Sequence, residues 1–212
     1  MPTLKMTYFD IQGPAEPTRL ALTIGDIPFE DVRVNRDAML AMRASGALKG
    51  GGQLPQLEVD GRVLSQSLAQ ATYAGKLAGL VPEDPWTAAK VDEVIQLVSQ
   101  DIRERCISPT MYEKDADKKA ALRAELASVK LPEKFALLEA LLDEKSGYFG
   151  ESLSMADLHV YVLMNWLGME VLDGVPNTCV TPKLKAHCAL LNGHPKIAEW
   201  NAAKNSGKVP WF

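Results

Sequence analysis

A tyrosine ends the first predicted strand, within the opening stretch LKMTYFDIQGPAEPTRLALTIG at residues 4–25. The alternating run up to Tyr8 is typical of a strand, and the glycine, prolines and apolar residues after it predict a turn into a helix. A tyrosine at such a corner can pack into a core, or it can offer its hydroxyl group to a ligand. The residues around Tyr8 leave both interpretations open.

The dipeptide Leu54-Pro55 stands just before another predicted strand. Proline has no N–H for a sheet ladder, so it belongs at the first residue or the edge of a strand. A cis bond here would turn the backbone N–H and C=O of Leu54 outward, where they could pair with an extended peptide ligand. An ordinary trans proline is the alternative, and periodicity alone favours it.

Two serines stand at predicted helix starts. Ser67, after Gln66, is a good N-cap, and a helix N-terminus attracts a carboxylate through its free N–H groups and its dipole. Capping alone is the alternative role for Ser67. Ser154 opens a Ser-x-x-Asp pattern with Asp157 ahead of an apolar helix, which predicts a capping box and not a catalytic pair.

Asp101 belongs to a stripe of a predicted helix that also contains Val94, Leu97 and Arg105. An acid beside exposed apolar residues is typical of a subunit interface. The alternative is a surface acid neutralised by Arg105 four residues later, a pair that contributes only about 0.3–0.5 kcal/mol. The stripe alone does not distinguish the two roles.

Composition and the remaining motifs argue against several classes of function. The net charge of −4 disfavours nucleic-acid and anionic-membrane partners, which require a basic face, and no apolar run is long enough to span a membrane. Glycines 50–52 are not followed by the Lys-Ser/Thr of a phosphate loop. Three widely spaced cysteines suit a reducing compartment better than a disulfide framework, and no ligand spacing indicates a metal site.

The pattern of elements predicts two domains. Residues 1–80 show the order β-α-β-α-β-β-α, with a crossover helix that implies a parallel strand pair and a hairpin through Asp60-Gly61. This order is thioredoxin-like. The acidic, proline-rich stretch 81–86 is a natural linker, and the 87–212 region has only helical periodicity. The predicted fold class is therefore an α/β domain followed by an all-α domain.

These segments together resemble the cytosolic glutathione transferases that use a catalytic tyrosine, and most closely the sigma class. The resemblance covers nearly the whole chain and is carried by MTYFDIQGPAEPTRLAL, QLPQLEVDG, LSQS and SMADLHVY, in that order. It implies a cytoplasmic homodimeric enzyme that conjugates glutathione to hydrophobic electrophiles in detoxification. Glutathione is then a co-substrate, and no other cofactor is implied.

The resemblance also implies roles for residues of the first domain. Tyr8 would donate a hydrogen bond to the sulfur of glutathione. Leu54, before Pro55, would bond the cysteinyl part through its backbone, and Gln53 would contribute to the same groove. Gln66 and Ser67 would hold the γ-glutamyl carboxylate.

Other implied roles are less directly matched. Asp101 corresponds to the acid that reaches across the dimer to the γ-glutamyl amine of the neighbouring site. Pro14 replaces an arginine that often supports the tyrosine, so the rate is in question but the reaction type is not. Met42 is the candidate for the position of a tryptophan near the glycyl carboxylate, and Lys49 and Arg43 are the candidate cations.

The resemblance leaves a non-catalytic, crystallin-like relative as the alternative function. Retention of Tyr8, Gln66 and Ser67 without a long insertion favours the enzyme. The electrophile site is expected from the loop after Tyr8, the helix around 105–112 and the C-terminal tail. The tail GKVPWF ends in two aromatic residues, and we expect it to pack on the protein.

Overall fold

The computed structural model describes residues 1–205, which form two compact units. Residues 1–81 and 196–205 belong to the first, called unit 1 below, and residues 82–195 form unit 2. The expectation that the tail 209–212 packs on the protein concerns residues outside the described range.

Unit 1 contains a four-stranded sheet in the order β2-β1-β3-β4. The strands are β1 (Leu4–Phe9), β2 (Glu30–Val34), β3 (Gln56–Val59) and β4 (Arg62–Leu64). β1 is parallel to β2 and antiparallel to β3, which is antiparallel to β4. Asp60 and Gly61 join the last two strands with φ angles of 49° and 76°, as a two-residue type I′ turn requires. The mixed sheet predicted from the sequence is therefore confirmed.

Helices make up most of the remaining chain. In order they are α1 (Glu16–Ile24), α2 (Arg36–Ala44), α3 (Ser67–Leu77), α4 (Pro85–Gln96), α5 (Ser108–Tyr112), α6 (Ala116–Glu125), α7 (Leu131–Leu141), α8 (Met155–Gly168), α9 (Pro182–Asn192) and α10 (Pro195–Lys204). π-helical segments at Leu97–Ile107 and Leu126–Lys130 continue α4 and α6. Within residues 1–205, no helix is both long and apolar enough to cross a membrane.

The last described helix, α10, packs within unit 1. Trp200 donates its indole N–H to Glu16 Oε1 at 2.7 Å, and its ring lies 5.7 Å from that of Phe29. The compact units thus group α10 with the sheet, whereas the sequence-based boundaries assign it to the region 87–212. The division into domains 1–80 and 87–212 stays a prediction.

Unit 2 is built around α8, which is buried on nearly all sides. Helices that are apolar on every face occur inside a protein and not on its surface. Helical spacing in the sequence predicts an apolar face on each helix of this unit, and Val98, Ile102 and Phe135 on those faces are buried. The same spacing places Val129 on one face with Leu126, but Val129 is 46% exposed. It lies in a π-helical segment, where the different number of residues per turn shifts the face that each side chain occupies.

The capping box before α8 is confirmed. Asp157 is fully buried, and its Oδ2 accepts hydrogen bonds from the Ser154 N–H at 2.7 Å and the Ser154 hydroxyl at 2.8 Å. Its Oδ1 also accepts the N–H of Phe149 at 2.9 Å. The carboxylate therefore satisfies two buried backbone donors and fixes the loop that leads into the central helix.

A second buried polar residue of α8 is His159. Burial, together with the charge of Arg103, lowers the pKa of His159 from 6.5 to about 4. The guanidinium of Arg103 lies 5.8 Å from the ring centroid of Trp166, which keeps this charge close to α8. The imidazole is therefore neutral at neutral pH, and its protonation works against the folded state.

We expect the change Asp157→Ala to lower the free energy of unfolding by about 2–5 kcal/mol, because two buried N–H groups lose their acceptor. The matched control Ser154→Ala removes one hydroxyl and leaves both backbone bonds to Asp157, so it costs only about 1 kcal/mol. Urea unfolding at pH 7 measures both values. Equal losses in the two variants would contradict the role given to the carboxylate.

The change His159→Leu is expected to make the protein less sensitive to acid. Between pH 6.5 and 4 the unfolded chain binds a proton at His159 that the folded chain does not bind, so stability falls as the pH falls. This single group accounts for about 3 kcal/mol of loss by pH 4. Urea unfolding at several pH values measures how steeply the free energy of unfolding changes with pH, with His194→Leu as the control. If this pH dependence is the same in His159→Leu as in the wild type, the prediction is wrong.

Candidate active site

Tyr8 lies near the end of β1, and only 7% of the residue is exposed. Its hydroxyl group sits against the backbone of Gly13, where a side-chain Cβ atom would approach the oxygen to 2.9 Å. Gly13 also has a φ angle of +49°, which favours glycine. The phenol therefore points at the loop between the strand and α1, as its position in the sequence indicated.

Sheet register brings three of the predicted site segments to one edge. Pairing of β1 with β3 reaches Thr7 and Gln56, so Tyr8 and Pro55 each lie one residue beyond that pair. In the neighbouring pair, Leu57 lies opposite Leu64, and Gln66 follows two residues later at the same edge. The end of β1, the start of β3 and the end of β4 therefore meet at this edge.

The segment before β3 contains the Leu54-Pro55 dipeptide that the sequence singled out. The Leu54–Pro55 peptide bond is cis, so the trans form that periodicity favoured is wrong. Gln70, buried in α3, donates its side-chain N–H to the carbonyl oxygens of Pro55 at 2.9 Å and Leu64 at 2.8 Å. Sequence reasoning missed Gln70, although a glutamine on the buried face of a helix is the kind of signal that indicates such a role.

Gln66 occupies the N-cap position of α3, and its φ angle of +71° lies in a region that is costly for residues other than glycine. Ser67 is already the first helical residue, so its prediction as the N-cap is wrong by one position. The Gln66 side chain makes no capping hydrogen bond. The N-terminus of α3 therefore has backbone N–H groups that an anionic ligand could use.

The end of α2 and the loop after it contain the residues expected near the glycyl end of the ligand. Met42 is half-buried, and its carbonyl oxygen accepts the N–H of Ala47 at 2.9 Å. The ammonium group of Lys49 donates to the carbonyl oxygen of Gly46 at 3.0 Å. Arg43 donates from Nε to the carbonyl oxygen of Gly52 at 2.9 Å, which ties α2 to the glycine-rich loop before Gln53.

Sequence reasoning also missed Arg19, a fully buried residue of α1. Its guanidinium donates to Asp31 at 2.8 Å and to Glu16 at 3.2 Å, and its carbon atom lies 5.8 Å from the centroid of the Tyr8 ring. It also donates to two carbonyl oxygens of the loop after Tyr8. The signal in the sequence was a Glu-x-x-Arg pair within an apolar helix, because such charges are buried only when they are paired.

A second arginine, Arg33 of β2, lies beside this group. It donates to Asp31 at 2.8 Å and to Asp10 at 2.7 Å. Burial lowers the pKa of Arg33, but hydrogen bonds to Asp10 and Asp31 outweigh burial and raise it overall. The loop after Tyr8 is thus held by two charged side chains, whereas Pro14 occupies the position of the expected arginine.

Asp101 belongs to unit 2, whereas the residues at the sheet edge belong to unit 1. Its carboxylate pairs with Arg105 at 2.6 Å and with Lys134 at 3.7 Å, as the surface-acid interpretation required. It also lines a cavity of about 440 Å³ together with apolar residues that include Leu97 and Leu137. The local ion pair is therefore present. The apolar residues of the stripe are not exposed as the interface interpretation expected, because Val94 is buried and Leu97 is half-buried.

Comparison with known proteins gives a consistent result across the chain. Residues 100–204 match the family model described as the glutathione S-transferase C-terminal domain. Glutathione S-transferase 1 of Ascaris suum is 35% identical over 211 residues, covering 96% of this chain and 98% of that protein. The hematopoietic prostaglandin D synthase of Gallus gallus is 30% identical over 200 residues, which cover 94% of this chain and 96% of that protein.

The three-dimensional comparison agrees with these relatives. A solved structure of prostaglandin synthase D from Nilaparvata lugens is 30% identical and superposes with a TM-score of 0.83. The similarity covers 95% of this chain and 98% of the other. The predicted fold class, a thioredoxin-like domain followed by an all-helical domain, is confirmed.

Proposed function

Because this chain belongs to the glutathione S-transferase family and is an enzyme of that family, we propose that Tyr8 activates the thiol of bound glutathione. The proposal is supported chiefly by the register of the sheet. It brings Tyr8 to the same edge as the Leu54-Pro55 segment and the start of α3. A peptide that binds along this edge can therefore contact backbone groups, a helix N-terminus and a phenol hydroxyl of the protein at the same time.

Tyr8 acts in this proposal as an electrostatic stabiliser and not as a covalent nucleophile. Its hydroxyl donates a hydrogen bond to the sulfur, and this bond favours the thiolate over the thiol. The pKa of the thiol then falls below its free value of about 8.5, so more thiolate is present at neutral pH. The thiolate forms the new sulfur–carbon bond, and the electron pair displaced from the electrophile leaves with its departing group or moves onto a neighbouring acceptor atom.

Glutathione itself is assigned to backbone and polar groups at this edge. The N–H and C=O of Leu54, before Pro55, pair with the cysteinyl residue, and Gln53 contributes to the same groove. The γ-glutamyl carboxylate binds at Gln66 and Ser67. The absence of a side-chain cap at Gln66 supports this assignment, because the first N–H groups of α3 need an acceptor.

The glycyl carboxylate is assigned to the end of α2 and its loop. Lys49 and Arg43 are the cations, and Met42 is the apolar neighbour in the position where relatives use a tryptophan. Arg43 is supported by its hydrogen bond to Gly52, because this bond holds the guanidinium beside the loop that leads to the cis-proline.

The second substrate is a hydrophobic electrophile, and the proposed role is detoxification. A second candidate activity is the isomerisation of a prostaglandin, which is favoured by the names of two similar proteins, the Gallus gallus and Nilaparvata lugens prostaglandin synthases. Conjugation of a chlorodinitrobenzene-type electrophile and formation of prostaglandin D, assayed on the same preparation, distinguish the two.

The working form is proposed to be a homodimer in the cytoplasm. Three free cysteines, of which Cys106 and Cys188 are buried, suit a reducing compartment. Asp101 is proposed to reach the γ-glutamyl amine of the partner's site. The cavity beside Asp101 supports an interface at this face of unit 2, because a surface apolar patch that is rimmed by polar residues is typical of an interaction site. Its lining combines the apolar residues Leu97, Leu137, Ala140 and Leu141 with Glu93, Gln96 and Gln100.

The change Tyr8→Phe is expected to lower turnover about tenfold to a thousandfold while glutathione still binds, since one charge-assisted hydrogen bond to the thiolate is lost. The direct measurement is the ultraviolet absorbance of bound thiolate as a function of pH. Tyr148→Phe, a half-buried tyrosine of unit 2, is the matched control. If the pKa of the bound thiol is unchanged in Tyr8→Phe, the role of Tyr8 in stabilising the thiolate is wrong.

The role of Asp101 is tested in a heterodimer of one Asp101→Ala subunit and one Tyr8→Phe subunit. Only one site then retains Tyr8, and its partner subunit retains Asp101. Turnover reports on this site, because the Tyr8→Phe site is expected to bind glutathione but to turn over slowly. If the acid acts across the interface, the KM for glutathione in turnover equals that of the wild type. If the acid acts within its own subunit, this KM is about tenfold higher, as expected for loss of one charged contact. A protein that remains monomeric during purification would contradict the dimer itself.

A further inference from the structure

The side chain of Glu16, at the start of α1, is buried and binds one group from α10 and one from Asn205, the residue that follows α10. Its Oε1 accepts a hydrogen bond from the Trp200 indole N–H at 2.7 Å and one from the Asn205 side-chain amide at 2.6 Å. Both donors lie far along the chain from Glu16, and Asn205 itself is 1% exposed. The carboxylate is therefore fully desolvated and depends on α10 and Asn205 for two of its hydrogen bonds.

The other oxygen of Glu16 is linked to the loop after Tyr8. Glu16 Oε2 accepts a bond from Arg19 Nη1 at 3.2 Å. The same Nη1 donates to the carbonyl oxygen of Ile11 at 2.8 Å, and Nη2 donates to that of Phe9 at 3.3 Å. These carbonyl groups lie one and three residues beyond Tyr8, so a single guanidinium connects α10, through Glu16, to the backbone that carries the phenol.

A parallel connection runs through Arg33. Its Nη1 donates to the carbonyl oxygen of Lys204 at 3.1 Å and to Asp10 at 2.7 Å. Its Nε donates to Asp31, whose other oxygen accepts Arg19 Nε at 2.8 Å. The end of α10 thus contacts the same loop by a second route, and the two routes meet at Asp31.

The geometry of these contacts couples the position of Glu16 to that of Arg19 and of the backbone after Tyr8. A guanidinium is planar and holds its donors in a fixed fork, so Arg19 cannot follow Glu16 without changing its bonds to Phe9 and Ile11. A buried carboxylate that loses two N–H donors must move toward other donors. This movement shifts the Arg19 guanidinium, which is hydrogen-bonded to Glu16 and lies 5.8 Å from the Tyr8 ring.

We propose that Trp200 and Asn205 are positioning residues for Tyr8, acting through Glu16 and Arg19. The inference rests on the proposed role of Tyr8 in activating glutathione, and it adds that α10 sets the orientation of the phenol at the sulfur. It also accounts for Pro14, because the arginine support of this site comes from the buried face of α1 and not from the loop itself.

The experiment uses the full chain with the single changes Trp200→Phe and Asn205→Ala. Phenylalanine keeps an aromatic ring against Phe29, 5.7 Å away in the native protein, and removes the indole N–H that Glu16 accepts. The smaller ring also reduces the contact with the Arg33 guanidinium, which lies 5.9 Å from the Trp200 ring centroid. Each variant is expected to lose roughly 5- to 50-fold in kcat, with the KM for glutathione held within about twofold. The pKa of bound thiol, followed by thiolate absorbance, is expected to rise toward its value in Tyr8→Phe.

Lys196→Ala is the matched control on the same helix. Lys196 is exposed on α10 and pairs with Asp26, away from Glu16, so its loss should leave kcat and the thiol pKa at wild-type values. A fall in thermal stability alone, shared by Lys196→Ala and the two test variants, would show that α10 only stabilises the fold and would overturn the inference.

The Tyr8→Phe background separates this inference from the proposed function. If α10 acts by positioning the phenol, Trp200→Phe and Asn205→Ala have no further effect on the thiol pKa once the hydroxyl is absent. If Tyr8→Phe shifts the thiol pKa and neither α10 variant does, the inference is wrong and the role of Tyr8 stands. If Tyr8→Phe itself leaves the thiol pKa unchanged, both fall together.

Discussion

The guanidinium of Arg19 has five N–H donors and no access to solvent, so unit 1 must supply acceptors for it from within. It obtains them from Glu16 on its own helix, from Asp31 on β2 and from the carbonyl oxygens of Phe9 and Ile11. These acceptors come from three different elements, which must therefore be correctly placed before the charge can be buried. The end of β1, the start of α1 and β2 are joined at this one side chain.

The proposed site at the sheet edge consists largely of backbone groups. Gln66 adopts a φ angle of +71°, and such a residue costs on the order of 1–3 kcal/mol unless its surroundings hold it. Gln70 holds the neighbouring chain by bonding the carbonyl oxygens of Pro55 and Leu64. The backbone N–H groups at the start of α3 are consequently pre-oriented for a ligand, which lowers the entropy lost on binding.

Unit 2 follows a different physical rule. Its central helix, α8, is apolar on nearly every face, and its few polar side chains are either paired or kept neutral. Asp157 accepts hydrogen bonds from backbone N–H groups at the helix start, whereas His159 stays neutral because burial and Arg103 disfavour its charge. The centre of unit 2 is therefore closed to water. Low pH lowers the stability of this unit, because protonation of His159 disfavours the folded state.

Local patterns in the sequence determined much of this protein. Alternation placed Tyr8 at a strand end, Asp60-Gly61 specified a tight hairpin, and Ser154-x-x-Asp157 specified a helix start, since each signal involves residues within four positions of one another. The tertiary structure alone decided what surrounds them. The bonds of Glu16 to Trp200 and Asn205, and of Gln70 to Pro55, join residues far apart in the chain, and no local preference encodes which distant donor meets a buried acceptor.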